Sequence, residues 1–393
     1  MHVTIWLQAP TRRVRRIESV SATRAARYNL PVKNLILGVA AALILAIPAA
    51  AQFPPAAIVT TNIADVDKHV AAAKTAAGSE WVGLYTAACG DAVGLSQPAA
   101  PRGGGASAGR AGAGAPGAGR AAGGAPAGGR AAGAAAPAGP ARETWHLDPV
   151  KVFDNAYYVG MTEYAMWAIT TSDGIIIVDA VWDYSIQDAV ENMRKVGLDP
   201  KNIKYVIVSH GHLDHAGGAK YLQDTFGAKL IMSAADYDMM EKDNPAWKPK
   251  RDMVATDGMK LTLGDTTLTL YLTPGHTLGT ISTIIPLREG AQRHTAAAWG
   301  GTRFNFGRNA EQLKMYADSA ARFRGIAEKA GADVVLSNHT EFDGGRTKLP
   351  AMASRKPGQP NPYVVGVDAT KRYLTVANEC AQAAVAGITA TTK

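Results

Sequence analysis

The sequence from Val150 onward predicts an α/β fold. Three observations carry this. Short apolar runs alternate with stretches of helical periodicity. A dense His/Asp cluster follows directly on one of the buried runs, and α/β folds form their sites beyond the carboxyl ends of strands. Residues 143–393 are long enough to bury a full core.

The 393-residue chain has a formal net charge of +8, which invites a nucleic-acid or membrane reading. The charge is unevenly placed: +6 in residues 1–51, +3 in 52–142 and −1 in 143–393. The C-terminal segment lacks the clustered Lys/Arg that phosphate contacts need, so nucleic acid is not an expected partner. Two cysteines exclude a dense disulfide framework.

Residues 35–51, LILGVAAALILAIPAAA, follow Arg24, Arg27 and Lys33 and end in Ala49-Ala50-Ala51. Basic region, apolar core and small-residue exit read as a signal peptide over 1–51, cleaved after Ala51. The alternative is a membrane anchor. The run, with Pro48 near its end, falls short of the ~20 residues a spanning helix wants. The mature chain is therefore expected in the periplasm or secreted, with no stable membrane anchor.

Residues 52–97 read as a short helical segment, because Val66, Val70, Ala73, Ala77, Trp81 and Leu84 recur at three- and four-residue steps. Residues 98–142 hold 19 Ala, 14 Gly and 6 Pro, with almost no large apolar side chains. Such a stretch cannot offset its ordering entropy and reads as a disordered linker. Residues 143–393 form the expected main domain. A Cys89–Cys380 disulfide would pin the pre-linker segment onto it in an oxidising compartment; two buried, unpaired thiols are the alternative.

Within the main domain, Lys151–Val159, Ala165–Thr171 and Ile175–Val178 read as strands, and Ser185–Val196 as a helix. Tyr205–Val208 reads as a central strand opening into Ser209-His210-Gly211-His212-Leu213-Asp214-His215. A helix through Leu222 and Phe226 follows. Lys260–Leu263 and Thr266–Leu272 form a hairpin-like pair leading to His276. Val334–Leu336 leads to His339, and Tyr373–Ala384 is a short helical pattern. His69, His146 and His294 lack a strand-end setting and read as surface residues.

Imidazole nitrogen and carboxylate oxygen are ligands zinc accepts. The set His210/His212/Asp214/His215, with Thr273-Pro274-Gly275-His276-Thr277 and His339, resembles the metallo-β-lactamase superfamily over about residues 149–345. It is most similar to the third subclass of class B β-lactamases. The resemblance implies a four-layer αβ/βα sandwich with a dinuclear metal site at one sheet edge. It implies one Zn2+ on His210, His212 and His276, and a second on Asp214, His215 and His339, with iron or manganese also compatible with such ligands. Asp214 would also orient a metal-bound hydroxide, and Asp179 would support a ligand histidine. The expected substrate is a small molecule.

A departure narrows the family. Members that cleave lactones, thioesters or phosphodiesters commonly carry a bridging Asp between the third and last ligand histidines. Here the matching strand, Thr295–Trp299, ends in Gly300-Gly301-Thr302, and neither Asp318 nor Asp333 is at that position. The leading expectation is opening of a cyclic amide, a β-lactam. The alternatives are a lactone, ester or thioester hydrolase of the same superfamily, a non-catalytic binding module, and a diiron electron-transfer protein. Thr302 and Arg303 are the nearest candidates to hold a substrate carboxylate. Trp182 and Tyr158 are candidate pocket walls, with Tyr157, Trp299 and Phe304 behind them. Oligomeric state is not legible.

Overall fold

The computed structural model describes residues 63–96 and 139–392. The leader expected over 1–51, and the linker up to residue 138, lie outside them. No helix among the described residues is long and apolar enough to cross a membrane.

Two sheets form the centre. The first has the order β1 (Val150–Phe153), β2 (Ala156–Tyr158), β3 (Trp167–Thr171), β4 (Gly174–Val178), β5 (Ile203–Ile207), β6 (Lys229–Ser233), β7 (Met253–Ala255). It is antiparallel from β1 to β4 and parallel from β4 to β7. The second runs β12 (Val334–Ser337), β11 (Gln292–Trp299), β10 (Ile281–Glu289), β9 (Thr266–Leu272), β8 (Met259–Leu263), with only β11–β12 parallel. Ile169, Ile176, Ile207 and Ile231 of the first sheet meet Leu268, Leu270, Ile285 and Leu336 of the second in one buried cluster.

Helices cover both outer faces. On the first sheet lie α3 (Ile186–Lys195), α5 (Ala219–Phe226) and α6 (Ala234–Asp243), whose Val190, Leu222 and Tyr237 pack with Ile177 and Val206. On the second lie α7 (Ala310–Lys329) and α9 (Val367–Thr391), with Phe323 and Leu374 in one cluster with Trp299 and Val335. The result is the four-layer sandwich expected. Parallel strands buried on both faces need unbroken apolar runs, and Ile-Ile-Ile-Val in β4 and Val-Val-Leu in β12 supply them.

Two expectations change. Lys151–Val159 is not one strand but a hairpin, β1 and β2, turned at Asp154-Asn155. Asn155 is buried there because its side chain bridges to β10, donating to Pro286 O at 3.0 Å and accepting from Arg288 N at 2.8 Å. The N-terminal segment is two helices, α1 (Ala64–Ala77) and α2 (Val82–Ser96), broken at Gly78, whose φ of +54° suits a residue without Cβ. Trp81, Leu84 and Ala88 of this pair share the cluster of α7 and α9. A disulfide joins Cys89 on α2 to Cys380 on α9.

Candidate metal centre

The site is built at one edge of the sandwich, where loops leave strand ends. The loop after β5 carries His210 and His212. It runs into the single turn α4 (Leu213–Ala216), which carries Asp214 and His215. His276 follows β9 and His339 follows β12.

These loops bring six side chains into two adjoining triads. His276 Nε2 is 3.1 Å from His210 Nε2 and 3.1 Å from His212 Nδ1. His215 Nε2 is 3.2 Å from Asp214 Oδ2 and 3.2 Å from His339 Nε2, and His339 Nε2 is 3.7 Å from Asp214 Oδ2. Ligand atoms of His210, Asp214 and His215 also lie within 4.8 Å of one another, so His210 joins the two triads. Nitrogens bound tetrahedrally at ~2.0–2.1 Å from one zinc are about 3.3 Å apart. The spacing therefore fits a shared ion.

The proton positions suit the same purpose. His210 Nδ1 faces the Gly300 carbonyl and His276 Nδ1 the Arg303 carbonyl, each at 2.7 Å. A carbonyl only accepts, so each Nδ1 carries the proton and each Nε2 keeps its lone pair for the triad. Burial pushes His210, His212, His276 and His339 towards the neutral form, His276 and His339 to about 3. His215 differs. Burial alone would lower it, but the carboxylates of Asp214 and Asp179 outweigh burial and raise it to about 10. Asp214 is itself held below the usual carboxylate range: burial works against ionisation, and the neighbouring His215 overcomes it. Asp179 Oδ2 lies 3.2 Å from His215 Nδ1, while Asp179 also accepts from Ser209 N and Oγ. The His215 side chain is wholly buried, whereas those of His339 and Asp214 keep 17% and 21% exposure, so the centre opens on that side.

No carboxylate bridges the triads from β11. A Cβ on Gly301 would stand 2.3 Å from His276 Cβ, and one on Gly300 would stand 1.9 Å from Ile281 O. Asp318 pairs with Lys314 on α7, and Asp333 with His294.

Several substrate candidates are placed elsewhere. Tyr158 is in the core, its hydroxyl donating to the carbonyls of Met161 and Tyr164, because a buried phenol must find an acceptor. Thr302 is buried and turns towards Asn338 Oδ1. Arg303 does grip a carboxylate with its fork, but that of Asp91 on α2, at 3.1 and 2.7 Å. Trp299 and Phe304 pack on Tyr316 in the core. Tyr157 packs on the α3–α5–α6 layer. Trp182 is half-buried beside Tyr164, with ring centres 5.6 Å apart. His294, read as a surface residue, has a side chain only 9% exposed.

The sequence reading missed Tyr164, Asp236 and Asn338. The Tyr164 ring leans on His339 at 5.1 Å, and the two residues form a β-bridge. Asn338 Nδ2 donates to the same Gly300 carbonyl that orients His210. Asp236 does show a sequence signal, Ser233-x-x-Asp236, but it reads as an ordinary helix cap.

The family model described as the metallo-beta-lactamase superfamily matches residues 162–290. Residues 162–290 form a domain of the metallo-beta-lactamase superfamily. The match takes in both of the first histidine loops; His339 lies beyond it. A subclass B3 metallo-beta-lactamase of Bradyrhizobium japonicum aligns over 63% of this chain and 97% of its own, at 28% identity and a TM-score of 0.54. Among curated relatives, a hydroxyacylglutathione hydrolase of Acidiphilium cryptum is 28% identical over 37% of this chain and 52% of its own length. An N-acyl homoserine lactonase of Rhizobium johnstonii is 28% identical over 41% of this chain and 68% of its own length. The chain thus spans about half the length of the hydroxyacylglutathione hydrolase it matches.

Proposed function

We propose that the chain is a secreted or periplasmic dinuclear-zinc hydrolase that opens a cyclic amide, a β-lactam in the leading case. The observation that carries this is the pair of adjoining triads with no bridging carboxylate. His210, His212 and His276 would hold one ion, and Asp214, His215 and His339 the other. Zinc, when bound, would supply Lewis acidity, lowering the pKa of water to about 7 and drawing charge from a carbonyl oxygen.

The chain's own groups do the rest. The Gly300 and Arg303 carbonyls fix the tautomers of His210 and His276. Asp179 faces the outer nitrogen of His215 and supports its orientation. Asp214, ionised and partly exposed, can hold a water proton at Oδ2 and orient that water. The aromatic rings of Tyr164 and Trp182 would wall one side of the opening. The Cys89–Cys380 disulfide supports an oxidising compartment.

One observation favours a second reading, hydrolysis of a lactone, ester or thioester. Arg303 is engaged by Asp91 and Thr302 is buried, so neither is free to hold a β-lactam carboxylate. Purified protein loaded with two zinc equivalents should hydrolyse a chromogenic cephalosporin faster than an acyl-homoserine lactone or a hydroxyacylglutathione thioester. The reverse order overturns the β-lactam reading. His210→Ala and His339→Ala should each lose one metal equivalent; full metal retention in both overturns the ligand assignment.

A further inference from the structure

We propose that Asp91, on α2, is a positioning residue for His276, holding the Arg303–Phe304 peptide whose carbonyl accepts the His276 Nδ1 proton. The inference rests on the reading of His210, His212 and His276 as one metal site. A single peptide group links Asp91 to His276. Its C=O belongs to Arg303 and takes the His276 proton at 2.7 Å; its N–H belongs to Phe304 and points to Asp91 Oδ2 at 3.4 Å. A trans peptide is planar, with N–H and C=O opposed. Holding one end therefore aims the other. The 3.4 Å amide contact is long for a hydrogen bond, and alone it would aim little. The same carboxylate, however, takes the Arg303 guanidinium in a bidentate pair, at 3.1 Å from Nε and 2.7 Å from Nη2. Asp91 thus grips the residue before the peptide bond by its side chain and the residue after it by its amide.

The segment between β11 and α7 has no ladder of its own to fix this peptide. Its other anchors lie on either side of the peptide: Tyr316 Oη donates to the Thr302 carbonyl at 3.0 Å, and the buried Phe304 ring packs on Tyr316. Gly300 O is held by Asn338 Nδ2, and Arg308 donates to the carbonyl of Leu95, again on α2. The accepting carboxylate is itself fixed, because Asp91 stands two residues from Cys89, which the disulfide ties to α9. An exposed ion pair is ordinarily worth little. Here its effect falls on the direction of one carbonyl rather than on global stability.

The test uses the full chain in its disulfide-bonded form, with Asp91→Ala and Asp91→Asn. In metal-free protein carrying 15N-histidine, the parent should show His276 as a single Nδ1–H tautomer. Asp91→Ala should show a tautomer mixture and faster exchange of that proton. Cobalt(II) titration should then show about a tenfold loss of affinity at the His210/His212/His276 site, the low end for outer groups that orient ligands. The second site should be unchanged. Asp91→Asn keeps an acceptor for both contacts and should fall between parent and Asp91→Ala. An unchanged His276 tautomer spectrum in a folded variant overturns the proposal, and so does equal loss at both sites. Should Asp91→Ala not fold, Asp91→Asn and Arg303→Gln decide it by the same spectrum. A parent that binds no cobalt overturns the functional reading, while the tautomer spectrum still decides the role of Asp91.

Discussion

Asp236 and Thr277 are tied through one carboxylate oxygen: Thr277 Oγ1 donates to Asp236 Oδ2 at 2.9 Å, and Gly211 N donates to the same atom at 2.8 Å. Gly211 lies between His210 and His212, and Thr277 follows His276. One buried side chain on α6 therefore joins the two loops of the first triad. Burial raises its pKa, and these donors hold it back. Asp236→Ala would leave the buried Gly211 N–H unpaired, at roughly 1–3 kcal/mol, and would leave the Thr277 hydroxyl only Thr280 Oγ1 at 2.9 Å. We expect a lower urea midpoint and a ten- to hundredfold loss of affinity at the His210/His212/His276 site, on the order seen for groups that orient ligands. Metal affinity equal to the parent's would count against the coupling.

Gly301 is required by proximity rather than by backbone conformation. Its missing Cβ would sit 2.3 Å from His276 Cβ. Gly301→Ala must displace the His276 loop, so we expect it to retain one metal equivalent instead of two. Gly325 is a control: it sits on α7 with nothing within 4 Å of the added carbon. Gly325→Ala should leave metal content alone and stabilise by up to about 1 kcal/mol. Two full equivalents in Gly301→Ala would remove steric exclusion as the reason that no side chain stands there.

The six candidate ligands were legible because they follow strand ends, while their division into two triads came from the family resemblance. Four of the six residues lie in one loop after a buried run, and His276 and His339 follow runs of the same kind. Most strands were legible from such runs, but β6, β7 and β10 were not read, and the packing of two sheets came only from the family resemblance. What stayed hidden depends on distant partners. Arg303 looked free because Asp91 is 212 positions away. Tyr158 looked available because nothing in the sequence says that its hydroxyl meets the Met161 carbonyl. The hairpin at Asp154-Asn155 was hidden because the runs on either side of the turn are short, and the reversal shows only in the antiparallel pairing of Val150 with Tyr158.

The Cys89–Cys380 bond closes a loop with a sequence separation of 291. Cross-linking so distant a pair constrains the unfolded chain strongly, and loss of such bonds typically costs about 2–5 kcal/mol. Cys89→Ser/Cys380→Ser should lower the urea midpoint by a matching amount. It should also expose α1 and α2 to protease, since the buried faces of both helices depend on α9 and α7. Equal midpoints with and without reductant would show that packing alone holds the pair.

Asp343 gives a pH signature away from the candidate metal centre. It is fully buried, and burial raises its pKa to about 6 although the Lys348 ammonium opposes this. The Asp343 charge adds to burial in raising the pKa of the hydroxyls of Tyr158, Tyr363 and Tyr373. Lys348 in turn sits over the rings of Trp81 and Tyr363, at 4.9 and 5.2 Å. A carboxyl raised on folding binds its proton more tightly in the native state. Its stabilisation is complete below the unfolded pKa of about 3.9 and is lost as pH rises through about 6. Asp343→Asn cannot titrate. The stability of that variant relative to the parent should therefore climb by about 2 kcal/mol from pH 4 to pH 7 and level off above. The slope is the readout, because leaving Lys348 without its counter-charge adds an offset. Chemical denaturation at a series of pH values measures it, and a difference that stays flat across this window would place an ionised Asp343 in the fold throughout.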